Sequence, residues 1–175
     1  MSAAPAIDRL RPSLNYLKPG DVSRIEQAFQ FSDVAHHGQM RQSGDPYISH
    51  PVVVAEIVAK FIQHFDAKRE RCWIAEKDGE NVGSVFLVKK SKAVAKLRLL
   101  LVEPKARGLG IGARLIAECI RFARQTGYRK VTLWTQSELA AARHLYQEAG
   151  FALVHKHRHR DFGRDSVAET WELKL

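Results

Sequence analysis

Between Val54 and Phe65 the apolar residues Val54, Ile57, Val58, Phe61, Ile62 and Phe65 recur at steps of three and four. That period gathers them on one side of an α-helix, for which Pro51 suits the first position. Upstream, DVSRIEQAFQFSDVAHHG places Ile25, Ala28 and Phe29 on one helical side, with Asp21 able to cap the start and Gly38 able to end it. The Pro-broken first 20 residues predict no regular element. After Phe65 the pattern changes to short β-rich runs. RCWIAE and VGSVFLVKK, joined by KDGEN, read as a hairpin, and AKLRLLLVE reads as a third strand apolar enough for the inside of a sheet. A helix from Ala113 to Gln125 follows, with Leu115, Ile116, Cys119, Ile120, Phe122 and Ala123 as its apolar face and Gly127 as its stop. KVTLWTQ is a strand. SELAAARHLYQEAG is a helix, with Ser137 as cap and Gly150 as stop, and FALVHKHRH and VAETWELKL are the last two strands. This order predicts an α/β (α+β) layer structure with a mixed sheet, preceded by an N-terminal helical segment.

Composition narrows the class. Hydrophobic residues make up 45% of the 175, enough for a packed core. Two cysteines, Cys72 and Cys119, do not make a disulfide framework, so a reducing, cytoplasmic setting is expected. No apolar run reaches the roughly 20 residues that span a bilayer, so no membrane role is expected. The net charge of +9 is uneven. Residues 1–60 hold six Lys/Arg and six Asp/Glu, whereas residues 61–175 hold 22 and 13. That excess suits an anionic ligand, from nucleic acid to a phosphorylated cofactor, and equally suits a solubilising surface. Nucleic acid is not the expected partner, because no helix-turn-helix spacing or RNA-binding aromatic motif is present.

The sharpest motif is LLLVEPKARGLGIGARL. A buried strand ends at Val102–Glu103, Pro104 stops pairing, and a helix begins directly after a loop holding Gly108, Gly110 and Gly112. Main-chain N–H groups crowding toward one point, together with the positive end of a helix, make a cradle for a pyrophosphate. Lys105 and Arg107 add mobile positive charge. An ordinary tight strand-to-helix turn would read the same way. A Walker loop is excluded because no Gly-Lys-Ser/Thr follows, and the glycine spacing fits a dinucleotide fingerprint poorly.

RGLGIG resembles the acetyl-CoA loop of the GNAT N-acetyltransferase superfamily, and AARHLYQEAGF resembles that superfamily's second signature, in matching order. Residues 52–175 resemble a GNAT domain, closely so the acetyltransferase half of MarR–GNAT fusion proteins. The resemblance implies a GNAT-like, mostly antiparallel sheet flanked by helices and acetyl-CoA as cosubstrate. It further implies that Arg107, Gly108, Leu109, Gly110, Ile111 and Gly112 hold the pyrophosphate. Leu101 and Val102 would pair with the pantetheine arm, with the Val102 amide polarising the thioester between two splayed strands. Tyr146 would be the general acid, though its residue pattern also fits a core tyrosine. Glu103 would be the base, or a surface carboxylate paired with Lys105 or Arg107. Many relatives carry an asparagine where this chain has Gln136. Cys119 lies on the buried stripe and is not the expected nucleophile. His155, His157 and His159 alternate with Lys156, Arg158 and Arg160, which reads as a basic rim near the cofactor or substrate mouth rather than a metal site.

AFQFSDVAHHGQMRQSGDPYISHPVVVAEI, within residues 14–58, resembles the start of the metal-dependent (p)ppGpp hydrolase domain of RelA/SpoT-type enzymes. There the residue matching His50 is a metal ligand and that matching Arg41 helps hold guanine. The adjacent His-Asp pair that family requires is absent from this chain, and a single imidazole does not hold a divalent ion, so no metal is expected. The chain therefore reads as a hybrid: residues 1–51 as a truncated hydrolase start, residues 52–175 as the GNAT domain, with the seam inside VVVAEIVAKFIQ. DRLRPSLNYLKPGDVSRIEQAF loosely mimics a GNAT opening strand and helix. If it does not serve as one, a bare sheet edge would favour homodimer pairing. The expected activity is direct acetyl transfer to an unidentified small-molecule or protein amine. The alternatives are a catalytically impaired acetyl-CoA-binding hybrid and a (p)ppGpp-related binding protein.

Overall fold

The computed structural model describes residues 7–8, 10–40, 46–161 and 164–175. They form two compact units, one drawn from residues up to Phe65 and the other from Asp66–Arg160 with Asp165–Leu175.

The first unit is helical. Among the described residues of 8–29 there is no strand; they include a 3₁₀ turn at Arg11–Leu14 and the start of α1 (Pro19–Ala35). Pro19 opens α1, so Asp21 lies in its first turn rather than capping it, where its charge still suits the positive helix end. Helix α2 (Ser49–Gln63) starts two residues before Pro51. The first-turn N–H groups of a helix have no internal acceptor, so proline there breaks no bond. The buried line of α2 is Val52 and Ala59, with Ala55 beside them, packed with Leu10, Leu14 and Ile48 and flanked by Val22, Ile25 and Phe29. The stripe expected from spacing is displaced: Ile62 and Phe65 are exposed. Small alanines allow close helix approach, which leaves the larger residues on the flanks.

The second unit is a six-stranded sheet of order β1-β2-β3-β4-β6-β5. Its strands are β1 (Arg71–Lys77), β2 (Glu80–Lys89), β3 (Val94–Val102), β4 (Lys130–Gln136), β5 (Ala152–Asp161) and β6 (Arg164–Lys174). Helix α3 (Ile111–Gln125) joins β3 to β4, and α4 (Ala140–Glu148) joins β4 to β5. Asp78 and Gly79, both at positive φ, close the β1–β2 hairpin, the geometry that an Asp-Gly pair favours. All six residues expected on the apolar face of α3 are buried against Val85, Leu87, Ala95, Leu97, Val131, Leu133 and Trp171. Helix α4 begins at Ala140 with no side-chain cap, three residues after Ser137. The Ser137 N–H is instead bonded to the Val167 carbonyl at 2.9 Å, which holds Ser137 at the end of the sheet.

Two local features shape the site. The β2–β3 register passes from Phe86↔Arg98 to Ser84↔Leu101, so Leu99 and Leu100 together oppose Val85. This is a β-bulge, and Leu99 sits in it at φ 51°, with its carbonyl accepting from Ser84 Oγ at 3.5 Å. The parallel β3–β4 ladder covers only Val94–Lys96 against Lys130–Thr132. Beyond it β4 pairs only with β6, as far as Gln136↔Ala168, and the far ends of β3 and β4 separate.

Candidate functional site

The opening between β3 and β4 is where most of the candidate residues gather. Glu103 N–H bonds the Val82 carbonyl on the β2 side at 2.9 Å. Main-chain groups alternate direction along a strand, so the N–H and carbonyl of Val102 face the opening. Arg107 Nε lies 3.3 Å from that carbonyl. The Leu101 carbonyl lies on the β2 side, 3.0 Å from where a Cβ on Gly83 would stand. The Leu101 backbone is therefore turned to β2, and its side chain is 54% exposed. Of the two residues expected to pair through their backbone, Val102 is the one whose N–H and carbonyl turn to the opening.

After Val102 a short turn at Pro104–Ala106 leads to Gly108 (φ 79°) and Gly110 (φ 73°), and α3 starts at Ile111. Both glycines are left-handed, a conformation that costs other residues about 1–2 kcal/mol. A Cβ added at either would meet nothing within 4 Å, so the space before them is open. Gly112 differs: a Cβ there would stand 2.9 Å from Leu145 Cδ1 and 3.7 Å from Val102 Cγ2. It brings the first turn of α3 close to both β3 and α4. That turn carries no side-chain cap and no acidic residue, so its free N–H groups and positive end face outward. Leu109 is exposed and Ile111 half-buried. Lys105 pairs with Glu80. Glu103, half-buried, has no ion pair among the described residues, so the pairing with Lys105 or Arg107 considered for it is not formed.

Across the opening, Gln136 ends β4 with its side-chain oxygen buried and without a hydrogen-bond partner. An orphaned buried acceptor costs about 1–3 kcal/mol, a cost the side chain would shed by turning toward a donor. Tyr146 is buried on α4, with its ring edge-on to Phe151 at 6.0 Å. Burial pushes its phenol up to about 12. Its hydroxyl makes no hydrogen bond among the described residues and is not one of the sealed oxygens, which are Gln136 Oε1 and Glu169 Oε1. Packing as a core residue and presenting a proton are thus compatible in one side chain.

Other expected residues lie elsewhere. His155 and His157, rings parallel at 6.5 Å, sit on β5 at the sheet edge, so β6 and β4 separate that basic strand from the opening. The side chain of His159 and all of Arg41 lie outside the described residues. His50 is in the first turn of α2. Among the described residues no three His, Cys, Asp or Glu side chains come together as a metal would require, and no helix is long and apolar enough to cross a membrane. Reading the sequence missed the Leu99 bulge, which carries no glycine or proline. It also missed Glu169, fully buried, whose Oε2 accepts from Arg143 Nε at 2.9 Å and Trp171 Nε1 at 3.0 Å. Its place in the apolar alternation Val167, Glu169, Trp171, Leu173 was the available signal.

Residues 39–151 match the model of the acetyltransferase (GNAT) family. The chain belongs to that GNAT family. A Bacillus anthracis str. Ames acetyltransferase, solved in complex with acetyl coenzyme A, superposes with a TM-score of 0.60 at 25% identity, covering 66% of this chain and 68% of that one. The mycothiol acetyltransferase of Cellulomonas flavigena is 35% identical over 89 residues, 45% of this GNAT chain and 26% of the relative. A second likeness is short. The bifunctional (p)ppGpp synthase/hydrolase RelA of Mycobacterium tuberculosis is 50% identical over 40 residues, 23% of this chain and 5% of that protein. The chain thus spans only a small part of the curated relatives it matches.

Proposed function

We propose that this chain is an acetyl-CoA-dependent N-acetyltransferase that passes the acetyl group directly to an amine. The observation that carries the reading is the opening between β3 and β4, with left-handed Gly108 and Gly110 and the uncapped start of α3 at its mouth. The residues suit the donor. Open space before the two glycines admits phosphate oxygens to the N–H groups of the 107–112 loop, and a turn of the Gln136 side chain would bring its orphaned oxygen to an amide N–H of the pantetheine arm. Arg107 adds positive charge beside the loop, and Leu101 lends apolar cover. Bound acetyl-CoA supplies an activated acyl thioester.

The chain's own groups do the rest. The Val102 N–H, turned to the opening, donates to the carbonyl oxygen as negative charge develops there. Glu103, next along the chain and free of a cationic partner, takes the proton the amine must lose. Tyr146 carries its proton at neutral pH, as a phenol does and the more firmly for its burial, and gives it to sulfur as the carbon–sulfur bond breaks. Cys119 is sealed in the core with its thiol pushed up by burial, which suits transfer without a covalent enzyme intermediate.

The test is thiol release from acetyl-CoA with a panel of amines, beside calorimetric titration with coenzyme A. Amine-dependent thiol release with coenzyme A binding is expected. Coenzyme A that binds without any turnover would favour an impaired hybrid, and no affinity at all would end the reading.

A further inference from the structure

The β3–β4 ladder closes at Lys96 opposite Thr132, and the strands separate immediately beyond. Lys96 and Arg98 therefore stand at the vertex of the opening. Their neighbours Ala95 and Leu97 are buried in the core beneath α3, so strand alternation turns Lys96 and Arg98 to the other face of the sheet. Phe86, the register partner of Arg98, and Trp134 on β4, 53% exposed, share that face. Both cations are half-buried, and neither has an ion pair or hydrogen bond among the described residues. Lys96 is held below the usual ammonium range, first by burial and then by the charges of Arg98 and Lys90. Two half-buried like charges with no carboxylate beside them among the described residues are unfavourable until a counter-charge arrives, and a ligand can bring it.

We propose that Arg98 and Lys96 bind an oxyanion group, a carboxylate or a phosphate, carried by the amine acceptor itself. The inference rests on the acetyltransferase reading, which gives the ligand its amine. The donor loop at residues 107–112 leads into α3 on the face that α3 covers, whereas the two cations face the other way, and we place the acceptor on their side. Val102 lies four residues along β3 from Arg98, about 13 Å in an extended strand and less across the bulge. An arginine side chain is long enough to cover part of that distance, so amine and anion fit within one small molecule. The planar fork of arginine matches either oxyanion through paired hydrogen bonds, and the exposed ring of Trp134 offers an apolar wall beside it.

The experiment uses the full chain, acetyl-CoA and matched acceptors: phenylalanine against its methyl ester, and O-phosphoethanolamine against ethanolamine. The anionic member of at least one pair is expected to exceed its neutral partner about tenfold or more in kcat/KM, and the pair that discriminates tells carboxylate from phosphate. Arg98→Ala and Lys96→Ala should reduce the preference and Arg98→Lys keep part of it, all with the KM for acetyl-CoA unchanged. Equal rates within both pairs overturn the proposal, as does a rise in the acetyl-CoA KM on Arg98→Ala. A second readout is the thermal shift that phenylalanine or O-phosphoethanolamine adds to coenzyme A-saturated protein, expected in the wild type and lost in Arg98→Ala. If no amine is turned over, the acetyltransferase reading fails and this shift alone decides the oxyanion site. No shift, or one that survives Arg98→Ala, overturns it.

Discussion

Gly110→Ala separates what a glycine does for the backbone from what it does for a ligand. Gly110 caps α3 at φ 73°. Alanine held there costs about 1–2 kcal/mol, offset by about 0.4–1 kcal/mol because the unfolded chain loses freedom. The net, about 1 kcal/mol, should lower the melting temperature of a unit this size by about 4 °C. A Cβ at Gly110 meets no protein atom within 4 Å, so it would project into the space read as the pyrophosphate seat. Loss of one charge-assisted main-chain hydrogen bond there is worth about 1.5–3 kcal/mol, a weakening of coenzyme A binding by roughly 10- to 150-fold. Gly79→Ala is the matched control. Gly79 has φ 78°, nothing within 4 Å of its added Cβ, and a place in the β1–β2 turn. Calorimetric titration and thermal melts on both variants should give similar stability losses and a coenzyme A defect in Gly110→Ala alone. Equal dissociation constants for the two would refute the assignment of the loop.

Tyr146→Phe should cut kcat about 10²- to 10⁴-fold and leave coenzyme A affinity unchanged, since the ring packing survives. Because the folded-state phenol lies at about 12, above its ordinary 10, the stability tied to its protonated form is full below pH 10 and lost as pH rises through 12. Alkaline denaturation should be shallower over that window in Tyr146→Phe, and no change there would contradict the burial effect. Glu169→Ala strands the Arg143 guanidinium and the Trp171 N–H and should cost about 3–5 kcal/mol in urea unfolding, whereas Lys156→Ala, removing a mostly exposed partner, should cost under about 1 kcal/mol. Thiol titration of the native chain should find Cys119 silent until urea is added, and Cys119→Ala should remain active; rapid native labelling at Cys119 would count against both statements.

Much of the second unit was legible because its signals are local and periodic. The α3 stripe obeys the helical repeat, Asp78-Gly79 names its own turn, and a glycine loop between strand and helix has few geometries. The Leu99 bulge was illegible for the opposite reason: KLRLLLV reads as uniform strand, and the pairing that strains Leu99 comes from β2. The same applies to Gln136, whose amide type is visible in sequence but whose burial without a partner depends on its surroundings. The helical unit shows the weakness of periodicity alone. Spacing picked the bulky residues of α2, while packing chose Val52, Ala55 and Ala59, the face able to approach its neighbours closely. Ser137 fails as a cap because the helix begins only at Ala140, which puts Leu139 in the cap position.

A parallel ladder only three residues long leaves the sheet as two blades, β1–β3 and β4–β6, stitched at one end and pinned by α3, which packs on strands of both. Mechanical load or heat should find that seam first, so deuterium uptake should be faster at the Val102 amide than along the fully zipped β4–β6 pairing. Any molecule lying in the cleft would act as a missing rung, and its arrival should slow exchange in both blades together.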